Sequence, residues 1–208
     1  MSVEGRLHEY RQGLVYRYFA GFATPSTAQR WFDALRDEVP WEQSQVRVYG
    51  RTHRTPRLTA WVADAGVEYR YSGQSQVPSA WSATSREIRE RVQRATGHEF
   101  NGVLLNLYRS GDDTVGWHSD DEAALGEAPV IASVSLGEAR RMRFRPRPGA
   151  GHRPPVATDD EPRRELLLEH GSLLLMEAGT QRGWQHCVPR CTRTLGARIN
   201  LTFRFLYR

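Results

Sequence analysis

The sequence predicts an α+β fold, a mainly antiparallel β-core with helices packed on it, from three observations. Two segments with capping signals and helical apolar spacing lie before residue 100, short β-rich runs follow from residue 103, and the last run alternates polar and apolar residues.

The first helix begins where Thr24 can cap and Pro25 can occupy the first helical position, and Ala28, Trp31, Phe32 and Leu35 then recur at helical spacing. In the second, Thr84 and Glu87 have capping-box spacing, Ile88, Val92 and Ala95 share a face, and Gly97 supplies the stop. The expected strands are 103–108, 130–136, 142–145, 166–169, 172–177 and 198–207. Proline crowds the stretch 145–164, which is expected to be a long exposed loop.

A chain of 208 residues with 39% apolar composition supports one well-buried core, so a single catalytic domain over 1–208 is expected. The first twelve residues carry charges and no apolar run of secretory length, and no stretch approaches a membrane span, so a cytoplasmic protein without membrane contact is expected. Two cysteines, Cys187 and Cys191, are too few for a disulfide framework. The formal charge of +5 favours polyanionic partners, nucleic acid among them. All 29 basic residues are arginine, which suits bidentate phosphate and carboxylate contacts, although a GC-rich genome produces the same bias.

The central chemical signal is His118-Ser119-Asp120, just after a β-run and a Gly111-Asp112-Asp113 turn. Residues two apart in an extended segment face the same side, so one imidazole and one carboxylate can grip one ion. His186 offers a third ligand. Two histidines and a carboxylate leave three sites open on an octahedral iron(II), and the same set also suits catalytic zinc. In the last strand Arg198, Asn200, Thr202 and Arg204 share one face and apolar residues the other. A half-exposed strand would explain the alternation but not so donor-rich a face. The two guanidiniums are roughly 20 Å apart at full extension, too far for one carboxylate but within reach of the two ends of a dicarboxylate once twist and side-chain length are counted. Asn106 and Tyr108, again two apart, add polar groups with a common facing.

Asn106-Leu107-Tyr108, His118-Ser119-Asp120, His186 and Arg198-x-Asn200-x-Thr202-x-Arg204 resemble the AlkB family in order and spacing, over roughly residues 40–208. The resemblance implies a double-stranded β-helix (jelly-roll) over about 100–208 and a nucleotide-recognition lid over about 40–100. It implies Fe(II) held by His118, Asp120 and His186, with O2 as oxidant. It further implies 2-oxoglutarate held by Asn106, Tyr108, Arg198, Asn200, Thr202 and Arg204, Arg198 taking the distal carboxylate and Arg204 the end nearer iron. The upstream segment is most similar to a vertebrate member that prefers duplex DNA, in Val48-Tyr49-Gly50, Tyr69-Arg70-Tyr71-Ser72-Gly73 and Asp121-Glu122.

What this implies is oxidative demethylation of N-alkylated bases in DNA, with formaldehyde, succinate and CO2 released, by a monomer. The base is expected to flip out of the stack and meet Tyr69, Tyr71, Ser72, Glu122 and Trp117. Tyr49 and Gly50 would wedge the duplex while Arg51, Arg54 and Arg57 hold phosphates. The alternatives are RNA or protein demethylation by the same centre, and a damage sensor that binds without turnover.

Overall fold

The computed structural model describes residues 5–10, 13–48, 51–67, 69–71, 74–76, 78–147 and 164–207, and for 46–53 and 69–76 the backbone alone. Two antiparallel sheets face each other across a core. The larger has seven strands in the order β1 (Arg6–Tyr10), β2 (Leu14–Phe19), β13 (Ser172–Met176), β10 (Ile131–Gly137), β15 (Arg198–Arg204), β8 (Gly102–Tyr108), β5 (Leu58–Ala63). The smaller has four, β12 (Arg164–Leu168), β11 (Arg140–Pro146), β14 (Trp184–Val188) and β9 (Val115–His118). This is the jelly-roll architecture, and sequential neighbours such as β11 and β12 pair as hairpins within it. Two small hairpins, β3 (Gln45–Val48) with β4 (Arg51–Arg54) and β6 (Tyr69–Tyr71) with β7 (Gln74–Gln76), form separate two-stranded sheets.

Helix α1 (Pro25–Glu38) is capped by Thr24, whose hydroxyl accepts from the Thr27 amide, and it buries Ala28, Trp31, Phe32 and Leu35 as its spacing requires. Helix α2 (Ala83–Thr96) ends at Gly97, which takes φ 75° in the left-handed region. Its start differs from the capping-box expectation. Ser82 is the cap, accepting from the Ser85 amide; Thr84 lies inside the first turn, and Glu87 pairs with Arg30 of α1. A serine two positions earlier reaches the free amide of the first turn, and Glu87 is then committed across the helix pair.

Both helices cover the outer face of the large sheet. Trp31, Phe32, Ile88 and Val92 pack with Val103, Leu105, Ile199, Leu201 and Phe203, the apolar halves of β8 and β15. A second cluster fills the space between the sheets with Leu14, Tyr16, Trp61, Ile131, Phe144, Leu174 and Trp184. The large sheet is therefore apolar on its helix side over β13, β10, β15 and β8, and its inner side turns polar where β15, β10 and β8 meet. Two strands, β1 and β2, precede α1, where helices alone were expected. Their mixed aromatic and arginine content gives little apolar contrast, and edge pairing to β13 decides their conformation.

Candidate metal and co-substrate site

Strand β14 pairs antiparallel with β9, and the register sets His186 directly opposite His118. Opposed side chains on one face meet across a strand pair, and the two imidazole centroids lie 4.3 Å apart. Asp120 follows just past the end of β9, its amide donating to Gln181 Oε1 at 3.0 Å. One ligand atom from each of His118, Asp120 and His186 lies within 4.8 Å of the others, the one such group of three among the described residues.

The protonation states suit coordination. His118 Nδ1 lies 2.9 Å from the Gly116 carbonyl oxygen, which can only accept, so Nδ1 is the donor of that bond and Nε2 is the nitrogen left for a metal. Burial, and then His118, push the His186 pKa down to about 3, so its ring is neutral near pH 7. For Asp120 burial alone would raise the pKa, but Arg204, followed by His186 and His118, outweighs it and holds the carboxyl well below the usual carboxylate range. Asp120 Oδ1 accepts from Arg204 Nη2. Its Oδ2 is buried, has no hydrogen-bond partner among the described residues and lies 3.6 Å from His186 Nε2. A buried carboxylate oxygen without a donor is costly, and beside two imidazoles a divalent cation satisfies it; the donor set fits iron(II).

The polar face of β15 is buried, not solvated. Arg198, Asn200, Thr202 and Arg204 are 1%, 6%, 9% and 3% exposed and line one cavity with the metal group, Asn106 and Tyr108. Their places follow from register, since β15 is flanked by β8, with Asn200 opposite Asn106 and Arg198 opposite Tyr108, and by β10, with Thr202 opposite Ser133. Arg198 Nη2 donates to Ser135 Oγ at 2.9 Å and the guanidinium sits 5.0 Å from the Tyr108 ring centroid. Among the described residues its Nε and Nη1 have no hydrogen-bond partner, and no carboxylate lies within ion-pair distance. Burial correspondingly lowers its pKa. A buried cation with two idle donors, across the cavity from the metal group, fits one end of an anionic co-substrate.

Two expected contact residues stand elsewhere. Arg57 is not a surface phosphate holder. It is 4% exposed, lines the same cavity, and donates through Nε to Asn106 Oδ1 at 2.7 Å and through Nη1 to the Thr114 carbonyl at 3.2 Å. Trp117 does not line the cavity. Adjacent strand residues point to opposite faces, so with His118 inward Trp117 is outward, where Arg145 lies 4.4 Å from its ring centroid. Glu122 is half-buried at the start of a short 3-10 turn, Ala123–Leu125, two residues past Asp120. Arg54 is exposed, as a phosphate contact requires. Tyr69, Tyr71 and Arg51 lie on β6 and β4, with only their backbone described. Tyr49, Gly50, Ser72 and most of the 145–164 stretch lie outside the described residues.

Sequence reasoning missed Ser133 and Ser135, which hydrogen-bond to Asn200 Nδ2 at 2.7 Å and to Arg198. The signal was present: two serines at period two inside an otherwise apolar strand share a face that a plain core strand would not make polar.

Residues 15–204 match the model of the 2OG-Fe(II) oxygenase superfamily, the class that this roll and its His-Asp-His group define. Human alpha-ketoglutarate-dependent dioxygenase alkB homolog 3 is 39% identical over 193 residues, covering 91% of this chain and 65% of its own length. Mouse DNA oxidative demethylase ALKBH2 is 38% identical over 200 residues, covering 95% of this chain and 82% of its own. The chain belongs to the AlkB family of these oxygenases, while spanning just under two thirds of the length of the alkB homolog 3 relatives it matches. A solved structure, "The structure of OsALKBH1", superposes with a TM-score of 0.57 at 16% identity over 96% of this chain and 100% of that one, a likeness of fold. No helix among the described residues is long and apolar enough to cross a membrane.

Proposed function

We propose that this chain is an iron(II)- and 2-oxoglutarate-dependent dioxygenase that removes N-alkyl groups from bases of the 1-methyladenine and 3-methylcytosine type in DNA. The observation that carries the reading is the convergence of His118, Asp120 and His186 in one buried cavity with Arg198, whose idle donors call for an anion. The printed name of the ALKBH2 relatives, DNA oxidative demethylase, supports DNA as the substrate.

His118, Asp120 and His186 hold the metal. Arg198 holds the distal carboxylate of 2-oxoglutarate, with Tyr108 beneath it. Asn106, Asn200 and Thr202 line the middle of the cavity, and Arg204, which also pairs with Asp120, takes the end of 2-oxoglutarate nearer the metal. When bound, iron(II) with 2-oxoglutarate and O2 supplies the oxidation of the N-alkyl carbon, after which the base hemiaminal releases formaldehyde. The protein keeps these groups in place and excludes water. An alkyl group on a pairing edge is reached only after the nucleotide leaves the stack, at a cost of about a few kcal/mol that is smaller for a lesion already unable to pair. Tyr69, Tyr71 and Ser72 meet the extruded base, Glu122 its exocyclic amine, and Arg51 and Arg54 the phosphates. Tyr49 and Gly50 act as a duplex wedge, and the protein works as a monomer.

The test is side-by-side turnover of methylated DNA, RNA and peptide with succinate and formaldehyde measured. Equimolar release on DNA is expected; preference for peptide removes the base-pocket reading, and binding without succinate leaves a damage sensor. Tyr49→Ala is expected to impair duplex repair more than single-strand repair, and equal effects reject the wedge.

A further inference from the structure

Arg57 sits in the three-residue connection between β4 of the first small hairpin and β5 of the large sheet. That connection is firmly held. The Thr55 amide donates to the Ser44 carbonyl at 2.9 Å, Gln43 Nε2 donates to the Thr55 carbonyl at 3.0 Å, and the Thr114 amide donates to the Pro56 carbonyl at 2.9 Å. From this root the guanidinium enters the cavity and donates to Asn106 Oδ1 and the Thr114 carbonyl, Thr114 being the residue before β9 and its His118.

The bond to Asn106 has a chemical consequence. An amide side chain has one accepting and one donating end, and the two exchange by a half-turn of the group. Arg57 can only donate, so its presence 2.7 Å away requires Asn106 to turn Oδ1 toward it and its NH2 elsewhere. The NH2 then has one long contact, 3.4 Å, to Asn200 Oδ1. Asn200 Oδ1 is held in turn, because its own NH2 is committed to Ser133 Oγ at 2.7 Å and the Val134 carbonyl at 3.2 Å, and Thr202 Oγ1 donates to it at 2.9 Å. The second N–H of Asn106 is left for the cavity. A flipped Asn106 would show an oxygen to an anionic ligand at the same place.

We propose that Arg57 is a positioning residue that locks the Asn106 amide with its donor toward 2-oxoglutarate, so that co-substrate affinity depends on the root of the β3–β4 hairpin; this rests on the co-substrate assignment above. The role differs from a phosphate contact, and it reaches the co-substrate only through Asn106.

The experiment measures 2-oxoglutarate affinity calorimetrically on the full chain loaded with redox-silent Mn(II), so that turnover is not the readout. Arg57→Met is expected to raise the dissociation constant about tenfold, the loss of one oriented charge-assisted contact, with Mn(II) affinity unchanged, while Arg57→Lys, which can still donate, stays within about threefold. In an Asn106→Ala background, Arg57→Met is expected to add less than about twofold, because a residue acting through Asn106 has nothing left to orient. Unchanged affinity in Arg57→Met, or an equal loss in both backgrounds, overturns the proposal. Should Arg57→Met not fold, Asn106→Asp serves: it pairs with Arg57, stays folded and presents only acceptors, so wild-type affinity in that variant overturns the proposal too. A wild-type chain that binds no 2-oxoglutarate overturns the proposed function and this inference together, whereas normal wild-type binding with an indifferent Arg57→Met overturns this inference alone.

Discussion

Replacing Arg198 by methionine separates what this residue does for the fold from what it does for the site. The guanidinium is 1% exposed, burial lowers its pKa, and its Nη2 donates to the Ser135 hydroxyl. Removing the charge relieves a desolvation penalty of several kcal/mol. It forfeits the Ser135 bond, about 1.5–3 kcal/mol, and the Tyr108 ring contact, about 0.5–2 kcal/mol. The two sides nearly cancel, so the ligand-free variant is expected to melt at the wild-type temperature or about 2–4 °C above it. The co-substrate carboxylate then loses its charged partner, worth about 2–4 kcal/mol, on the order of 30- to 1000-fold in affinity. At a 2-oxoglutarate concentration about 100 times its dissociation constant the wild type gains about 2.7 kcal/mol, and a variant weakened about a hundredfold gains about 0.4 kcal/mol. Urea melts of the Mn(II)-loaded protein with and without 2-oxoglutarate read both quantities. A variant clearly less stable without ligand, yet still stabilised by about 2.7 kcal/mol with it, would refute the assignment of Arg198 to the co-substrate.

His118→Ala and Asp120→Ala are both expected to abolish metal binding and turnover, but calorimetry should separate them. His118 is half-exposed and its loss costs about 1 kcal/mol or less, whereas loss of the Asp120 carboxylate that Arg204 contacts costs about 3–5 kcal/mol; equal melting temperatures would contradict the buried pair. Asp113, whose burial is outweighed by three bonds from Arg109, has a depressed pKa, so its contribution is full above its unfolded value near 3.8 and is lost as the pH falls below it. Asp113→Asn is expected to cost about 1–2 kcal/mol at pH 7 and less at pH 2, partner exposure limiting the size; a loss independent of pH, read from urea melts at both values, would mean the effect is steric. Ser82→Ala is expected to cost about 1 kcal/mol as the true cap of α2, and an unchanged urea midpoint would return the cap to Thr84.

Local rules carried much of the molecule. Thr24-Pro25 and Gly97 mark helix ends because capping needs only neighbouring backbone groups, and the apolar face of α1 was legible because helix spacing is a property of the chain. The polar face of β15 was legible for the same reason, since alternation on a strand does not depend on its neighbours. Even the outward place of Trp117 follows from the inward place of His118. The register of β14 against β9, which sets His186 opposite His118 across 66 positions from Asp120, could come only from strand pairing. So could the burial of Arg57, whose neighbours in sequence are surface-like while its partners, Asn106 and Thr114, arrive from β8 and the approach to β9. Side chains state what chemistry they can do; which of them meet, and whether water remains between them, is decided by long-range pairing energies that no single segment contains.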